Sequence, residues 1–394
     1  MKLITSLATV TAALLLAGRV FALPIPSDGS DGNFSPGADI EVDLSQAITG
    51  AWDANNSANT GKGRYDSSKW AIVFKYASVN IPAGVTVTFK NHPTHAPVVW
   101  LVNGNVNIAG TVSVAGKPVN TDPITGLAPV EPGPGGFRGG AFGPGGSGAG
   151  FGPGGGGAGG SGTYVTTYGN PQILPLIGGS GGGSSRYGET SYTGASGGGA
   201  ILIASIGTIA ISGAIDARGF GDGAFGASRS SGGAIKLIAE QVLGAGSLNA
   251  TCASEPGRTG RIRIETSLLS TGLQINPSTI AVPPPAFPVI WPGTNAPTAT
   301  VLSVDGVATP GDPSSPLISS ADVGVQNNGN VNVIIQTTNF PTSGNVKLRV
   351  GPKYADAVFV NAIYSGGNFA SANWVATLTF NPGFSALQAI ATVP

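Results

Sequence analysis

Residues 106–116 read VNIAGTVSVAG, residues 209–219 read IAISGAIDARG, and residues 242–252 read VLGAGSLNATC. The first two share the pattern apolar-x-apolar-x-Gly-x-apolar-x-small-x-Gly, and the third follows it more weakly. Period-2 alternation on both sides of a glycine describes strands that bend, the glycine marking a bulge or corner. Each copy follows an apolar strand: PVVWLV at 97–102, GAILIAS at 199–205 and GAIKLIAE at 233–240. A fourth such strand, GRIRIET at 260–266, lacks the second half. Between residues 70 and 266 no 3.6-residue apolar stripe appears, so helices are few. Strands that recur without helical crossovers predict a solenoid. The second and third copies start 33 residues apart and the first and second 103 apart, so surplus chain must leave the stack as loops.

These residues, together with SVNIPAGVTVTF at 78–89, resemble a widespread group of secreted bacterial proteins. The group has the right-handed parallel β-helix of the pectin-lyase-like architecture, often with poly-Gly loops between coils. The resemblance covers roughly residues 70–266. It implies the fold but not the activity, because that architecture hosts lyases, hydrolases, tailspikes and adhesins.

The surplus chain is glycine. Residues 133–162 hold 18 glycines in 30 positions, and 178–199 form a second Gly-rich stretch. Composition favours flexible, solvated loops, expected over 131–162 and 178–199. The competing reading is a set of packed polyproline-II-like strands, because Gly permits close backbone approach and G-P-G-G recurs. Phe137, Phe142, Phe151, Tyr187 and Tyr192 are the expected ligand-contacting residues of these loops.

Composition bounds the function. Charged residues are 10% of the chain, against about 25% in ordinary soluble domains. Hydrophobics at 41% suffice for a core. Lys2, the apolar run 3–18 and Val20-Phe21-Ala22 read as a signal peptide over 1–22. Removing Lys2 and Arg19 leaves 17 basic against 19 acidic residues, a balance unsuited to nucleic acid. No membrane span is expected once the signal is removed. The single cysteine, Cys252, cannot form an intramolecular disulfide.

Residues 23–69 are polar and turn-rich and predict an N-terminal cap and first coil, followed by the β-helix over 70–276. Seven prolines within 277–297 predict a stiff, extended linker. Short alternating runs punctuated by Asp-Gly, Asn-Gly and Asn-Pro-Gly turns over 298–394 predict an immunoglobulin-like β-sandwich. The expected fold is therefore all-β: a short β-helix with Gly-rich excursions, then a sandwich.

Chemistry-bearing residues are sparse. G-x-G-x-x-G at Gly143, Gly145 and Gly148 arises by chance in so Gly-rich a tract, with no helix to follow. G-x-S-x-G at Ser180 and Ser196 lacks a strand-to-helix elbow and a histidine partner. His92 and His95, the only histidines, are candidate metal ligands, but zinc needs a third protein ligand. Asp28 and Asp31, with Asn33, offer oxygens for calcium, as do Asp216 and Asp222, yet neither set has a defined loop spacing. Beyond calcium no cofactor is expected. Polysaccharide lyases of the resembled architecture line one face with Asp ligands for calcium and a basic proton abstractor, which makes Asp216, Arg218, Lys236 and Arg263 the candidate catalytic set. The equivalent positions in the other copies, Ser113 and Asn249, point instead to an outward polar position with a surface ion pair. Trp52 and Trp70 read either as sugar-stacking residues or as packing caps. Thr86 and Thr88 form the one T-x-T of the coils, too little for a flat ice- or mineral-binding array.

The sequence thus predicts a secreted, non-catalytic bacterial surface or matrix protein. Its Gly/aromatic loops would contact an extracellular polysaccharide, a cell surface or another copy. The rival expectation is a polysaccharide lyase or glycoside hydrolase, which would gather Asp216, Arg218 and Lys236 in a concave groove.

Overall fold

The computed structural model describes residues 23–117, 121–122, 130–160, 168–220, 230–252, 259–313, 320–327 and 329–393. The signal-peptide expectation, Asp222, and residues 161–162 of the Gly-rich stretch lie outside the described residues.

The three echoes stack as successive rungs. Val106 pairs with Ile209 and Ile209 with Val242 in one parallel sheet. Val112 pairs with Ile215 and Ile215 with Leu248 in a second. The preceding apolar strands, Val98–Val102, Ala200–Ser205, Ala234–Ile238 and Arg261–Glu265, form a third. Ala71–Tyr76, Ser78–Ile81 and Thr86–Lys90 supply the rung before the first echo, and Asn33–Phe34 and Ile40–Asp43 a partial rung before that. The chain visits third, first and second sheet in that order, coil after coil, which is the path of a parallel β-helix. Over the third sheet the growing edge is closed by Arg64–Asp66, which runs antiparallel to Ala71–Tyr76.

Two of the three corners are tight, and glycine explains one of them. A Cβ on Gly213 would lie 1.8 Å from the carbonyl oxygen of Gly110, and one on Gly246 would lie 2.2 Å from that of Gly213. Only hydrogen fits there, so these glycines stack in a column. The same corner is laddered by the Ala214 and Ser247 amides, each donating at 2.9 Å to the Gly110 and Gly213 carbonyls. Inside the coils Val79, Val106, Ile209, Val242, Ile215, Leu248, Ile203 and Leu237 are buried against one another. At the N-terminal end the core is aromatic, with Phe34, Phe74 and Tyr76 stacked and Trp100 edge-on to Tyr76 at 5.8 Å.

The third corner is where every Gly-rich excursion departs, between Ser113 and Ala200, Asp216 and Ala234, and Asn249 and Arg261. In their described residues these excursions are packed rather than solvated, as the polyproline-II-like reading expected and the flexible one did not. The stretches 133–143, 146–156, 178–184, 194–199 and 230–233 lie side by side, cross-linked by backbone hydrogen bonds. Phe137 and Gly140 donate to Gly179 and Gly182; Gly194 and Gly197 donate to Gly140 and Phe137; Gly179 and Gly182 donate to Gly198 and Ala195. Gly181 and Ser184 donate to Phe151 and Gly148, while Gly148 and Phe151 donate to Ala141 and Arg138. The spacing of three, not two, is that of a threefold polyproline-II-like helix rather than a pleated strand. Such helices direct bonds to neighbours on several sides, so segments 133–143, 178–184 and 194–199 bond mutually in a triangle.

The third sheet is covered on its outer face as well. Leu23, Ile25, Ile173, Leu176 and Ile290 bury Val73, Val99, Leu101, Leu202 and Ile238, with Trp52 and Trp291 at the margin. The proline-rich segment is held onto the coils: Val282 exchanges backbone hydrogen bonds with Ile264 and Thr266, and Val289 accepts from Lys236 Nζ at 2.9 Å.

The C-terminal unit is a seven-stranded antiparallel sheet, curled so that its core holds Val304, Val333, Ile335, Leu348, Val350 and Trp374. It is sandwich-like. It meets the Gly-rich bundle through Arg349, buried, whose Nη2 donates to the Gly150 carbonyl at 2.6 Å, and through the Ala149 amide, which donates to Ala355 at 3.1 Å.

A Cβ on Gly139 would lie 1.9 Å from the Gly194 carbonyl oxygen, whereas one on Gly37 meets nothing within 4 Å. Gly139→Ala is therefore expected to destabilise by about 1–3 kcal/mol in thermal or denaturant unfolding, the usual cost of overpacking, and Gly37→Ala to leave stability unchanged. Equal unfolding curves for the two variants would return the bundle to a loose loop.

Candidate functional site

The five aromatic candidates occupy different environments in the bundle. Phe151 and Tyr192 are buried, so as positioned they contact protein rather than a bound sugar. Phe137 is half-buried and stacks on Trp70 with ring centroids 6.4 Å apart. Phe142 is half-buried on a short hairpin with Ser147. Tyr187 is 62% exposed, at the turn of the hairpin Ser185–Tyr187 and Thr190–Tyr192. Gly188, with φ of 60°, makes that turn, and Arg186 Nε donates to its carbonyl at 3.0 Å. Trp70 donates from Nε1 to the Thr94 carbonyl at 3.1 Å, and Trp52 packs on Trp291 at 5.3 Å, so both serve as packing contacts.

The candidate catalytic set is not brought together. Asp216 lies on the outer face of the second sheet, in register with Ser113 and Asn249, and grips Arg218 at 2.7–3.1 Å. This is a local ion pair two residues apart. Lys236 belongs to the third sheet, is fully buried, and lies 3.6 Å from Glu265. Burial lowers its pKa, and the nearby Glu265 carboxylate works against that shift. Arg263 donates to the same Glu265 oxygen at 2.5 Å. Lys236, Glu265 and Arg263 thus clamp the last coils to the proline-rich segment, through Val289, beneath the covering layer.

Asp28 and Asp31 meet nitrogen donors. Asp31 accepts from the Lys75 amide at 2.7 Å, the Gly61 amide at 2.9 Å and Asn56 Nδ2 at 2.6 Å. The Lys75 ammonium sits among Asp28 Oδ2, the Asp53 carbonyl and the Ala54 carbonyl at 2.6–3.0 Å. A lysine therefore fills the oxygen cage that a calcium ion would need. Burial pushes the Asp28 carboxyl up, but hydrogen bonds from Ser30 and Lys75 outweigh it and hold the pKa at about 2. Among the described residues no group of three or more His, Cys, Asp or Glu converges to hold a metal.

A further polar cluster joins His92 and His95 to residues that sequence alone does not connect with them. His95, with φ of 55°, is buried, and its Nε2 lies 3.1 Å from Glu131. Arg138 binds the other oxygen of Glu131, and Asn91 Nδ2 donates to the Pro132 carbonyl at 2.8 Å. His92 takes a different partner: its ring lies 4.3 Å from that of Tyr65, whose hydroxyl donates to Asp312 at 2.5 Å. The two histidines hold separate partners. Glu131 and Arg138 were legible in one respect: they are the only charged residues between 130 and 160, and a lone charge in a glycine tract needs a partner.

Burial, reinforced by Arg138, pushes the His95 pKa from 6.5 down to about 3, so its ring is neutral and Nε2 donates to Glu131. The unfolded chain takes up a proton at this site below pH 6.5 and the folded chain does not. Stability from His95 is therefore full above pH 6.5 and falls on acidification towards pH 3, by about 1.4 kcal/mol per unit at most. Denaturant unfolding between pH 7 and 4.5 is expected to show this slope, as about one proton taken up on unfolding, and His95→Gln to flatten it. An unchanged slope in the variant would refute the assignment.

No family model, no curated protein and no solved structure matches this chain.

Proposed function

We propose that this chain is a secreted, non-catalytic surface or matrix protein of a bacterium. In this reading the β-helix and Gly-rich bundle form a rigid base for contacts with an extracellular polysaccharide, a cell surface or another copy. The finer family reading, a pectin-lyase-like surface protein with glycine-rich insertions, belongs to the same proposal.

The observation that carries it is the contrast between two parts of the molecule. Acid–base side chains are dispersed and paired internally: Asp216 with Arg218, Lys236 with Glu265, His95 with Glu131. The glycine excursions, by contrast, are built into an ordered block that projects the Tyr187 hairpin outwards. General acid–base chemistry needs its groups within reach of one substrate, at about 2.6–3.2 Å. Stacking on a sugar face needs only an exposed ring on a rigid support. Holding the support still lowers the entropy lost on binding.

Glycan-array and polysaccharide pull-down measurements on residues 23–394 test the reading. Binding to an acidic or neutral polysaccharide is expected, with Tyr187→Ala weakening it about fivefold to tenfold, the scale of one aromatic stacking contact. Release of unsaturated or reducing sugars by the wild-type chain would replace this reading with the lyase or hydrolase one.

A further inference from the structure

From Ala357 to Pro394 the sequence contains no Asp, Glu, Lys, Arg or His, although one residue in ten of the whole chain is charged. This neutral stretch builds three strands of the C-terminal sheet, Val358–Gly367, Ala372–Leu378 and Ser385–Thr392. Strand Val358–Gly367 turns a corner within it. Its first half, 358–362, pairs with 346–350, and its second half pairs with 372–375 across a bulge between Tyr364 and Gly366. Each half therefore has a ladder partner on one side. Among the described residues, 358–362 makes no further backbone hydrogen bond.

A free strand edge is a template for another strand, and proteins that stay apart blunt such edges with charge, proline or a covering element. Here the edge reads VFVNA: no charge and no proline. It is also apolar at the surface, with Val358 55%, Phe359 44% and Ile363 75% exposed. Ser385–Thr392, at one end of the strand order, is equally neutral, but it lies against strand Thr298–Val304 and is half-buried except at Thr392.

We propose that a second copy of this chain docks here, its 358–362 strand pairing antiparallel with the same strand of the first copy about a twofold axis. A two-fold contact makes each residue face its own kind, so a charged strand would oppose like charges across it, and this one brings none. Pairing would satisfy both free rows of N–H and C=O groups at once and cover Phe359 and Ile363. The inference rests on the self-association arm of the function proposed above and names its surface.

Sedimentation velocity on residues 23–394 over about 1–100 µM reads the association, a range that brackets a micromolar dimer. The wild type is expected to move from monomer to dimer mass, with amide exchange at 358–362 slowing as the dimer fills. Phe359→Lys/Ile363→Lys should remain monomeric with an unchanged unfolding midpoint. Asn361→Lys, on the same exposed edge, serves if that double variant does not fold. A wild type that stays monomeric, or a folded lysine variant that still dimerises, overturns the proposal. Growth beyond the dimer overturns it too, in favour of open pairing between 358–362 and Ser385–Thr392. The monomeric variant keeps Tyr187, so polysaccharide binding is scored independently of association.

Discussion

Everything in this molecule depends on backbones coming closer than any side chain allows. At the corner column the Gly213 position lies so near the Gly110 carbonyl that an added Cβ would come within 1.8 Å of it, and at the bundle the corresponding distance from Gly139 to Gly194 is 1.9 Å. Such contacts let amides reach carbonyls of neighbouring segments directly. They also carry a large entropic cost, because glycine loses more freedom on ordering than any other residue, at about 1–2 kcal/mol for each backbone residue fixed. A net gain of about 1 kcal/mol per hydrogen bond does not by itself offset that. The bundle therefore needs support from outside itself.

That support comes from two rigid bodies. On one side the bundle grows from a single corner of the coils, where Gly133, Gly199, Gly233 and Gly260 continue the rung-to-rung hydrogen bonding. On the other, the C-terminal sheet contributes Arg349, whose guanidinium reaches the Gly150 carbonyl, and the Ala355 carbonyl, which receives the Ala149 amide. A buried arginine left unpaired is costly, and a buried carbonyl without a donor is also unfavourable, so each corrects the other. The few charged side chains inside the fold work in the same manner. Lys75 ties the N-terminal cap to the third sheet, Lys236 ties the proline-rich segment to the last coils, and Glu131 joins Arg138 of the bundle to His95 of the coils.

The coils were legible because their pattern is local. Period-2 alternation and a recurring glycine at 110, 213 and 246 are printed in consecutive residues, and stacking follows from burying one face of each strand. The bundle was half legible. Composition alone describes a mobile linker, and what decides for packing is partnership between segments such as 137–140, 179–182 and 194–197, which lie far apart in sequence. The candidate sites were least legible. Asp216 and Arg218 were legible as an outward ion pair from their alignment with Ser113 and Asn249, as the register and contacts have it, whereas Lys236 shares a strand pattern with Leu202 and Arg263 while facing a buried layer. Glu131, Tyr65 and Asp312 escaped notice because their partners come from other parts of the chain.

Distribution of charge separates the two ends of the molecule in composition. Within the coils and bundle the buried charged groups are taken up by cross-links, as Lys75, Lys236 and Arg138 are. Beyond Asp356 there is no Asp, Glu, Lys, Arg or His, and so none of the like-charge repulsion that keeps strand edges apart. A chain selected only to remain solitary would gain from one lysine in Val358–Gly367 at little cost, since side chains such as that of Ile363 are already in solvent. The proposed pairing of two copies needs that absence, because a lysine on Val358–Gly367 would face its own kind across the twofold axis.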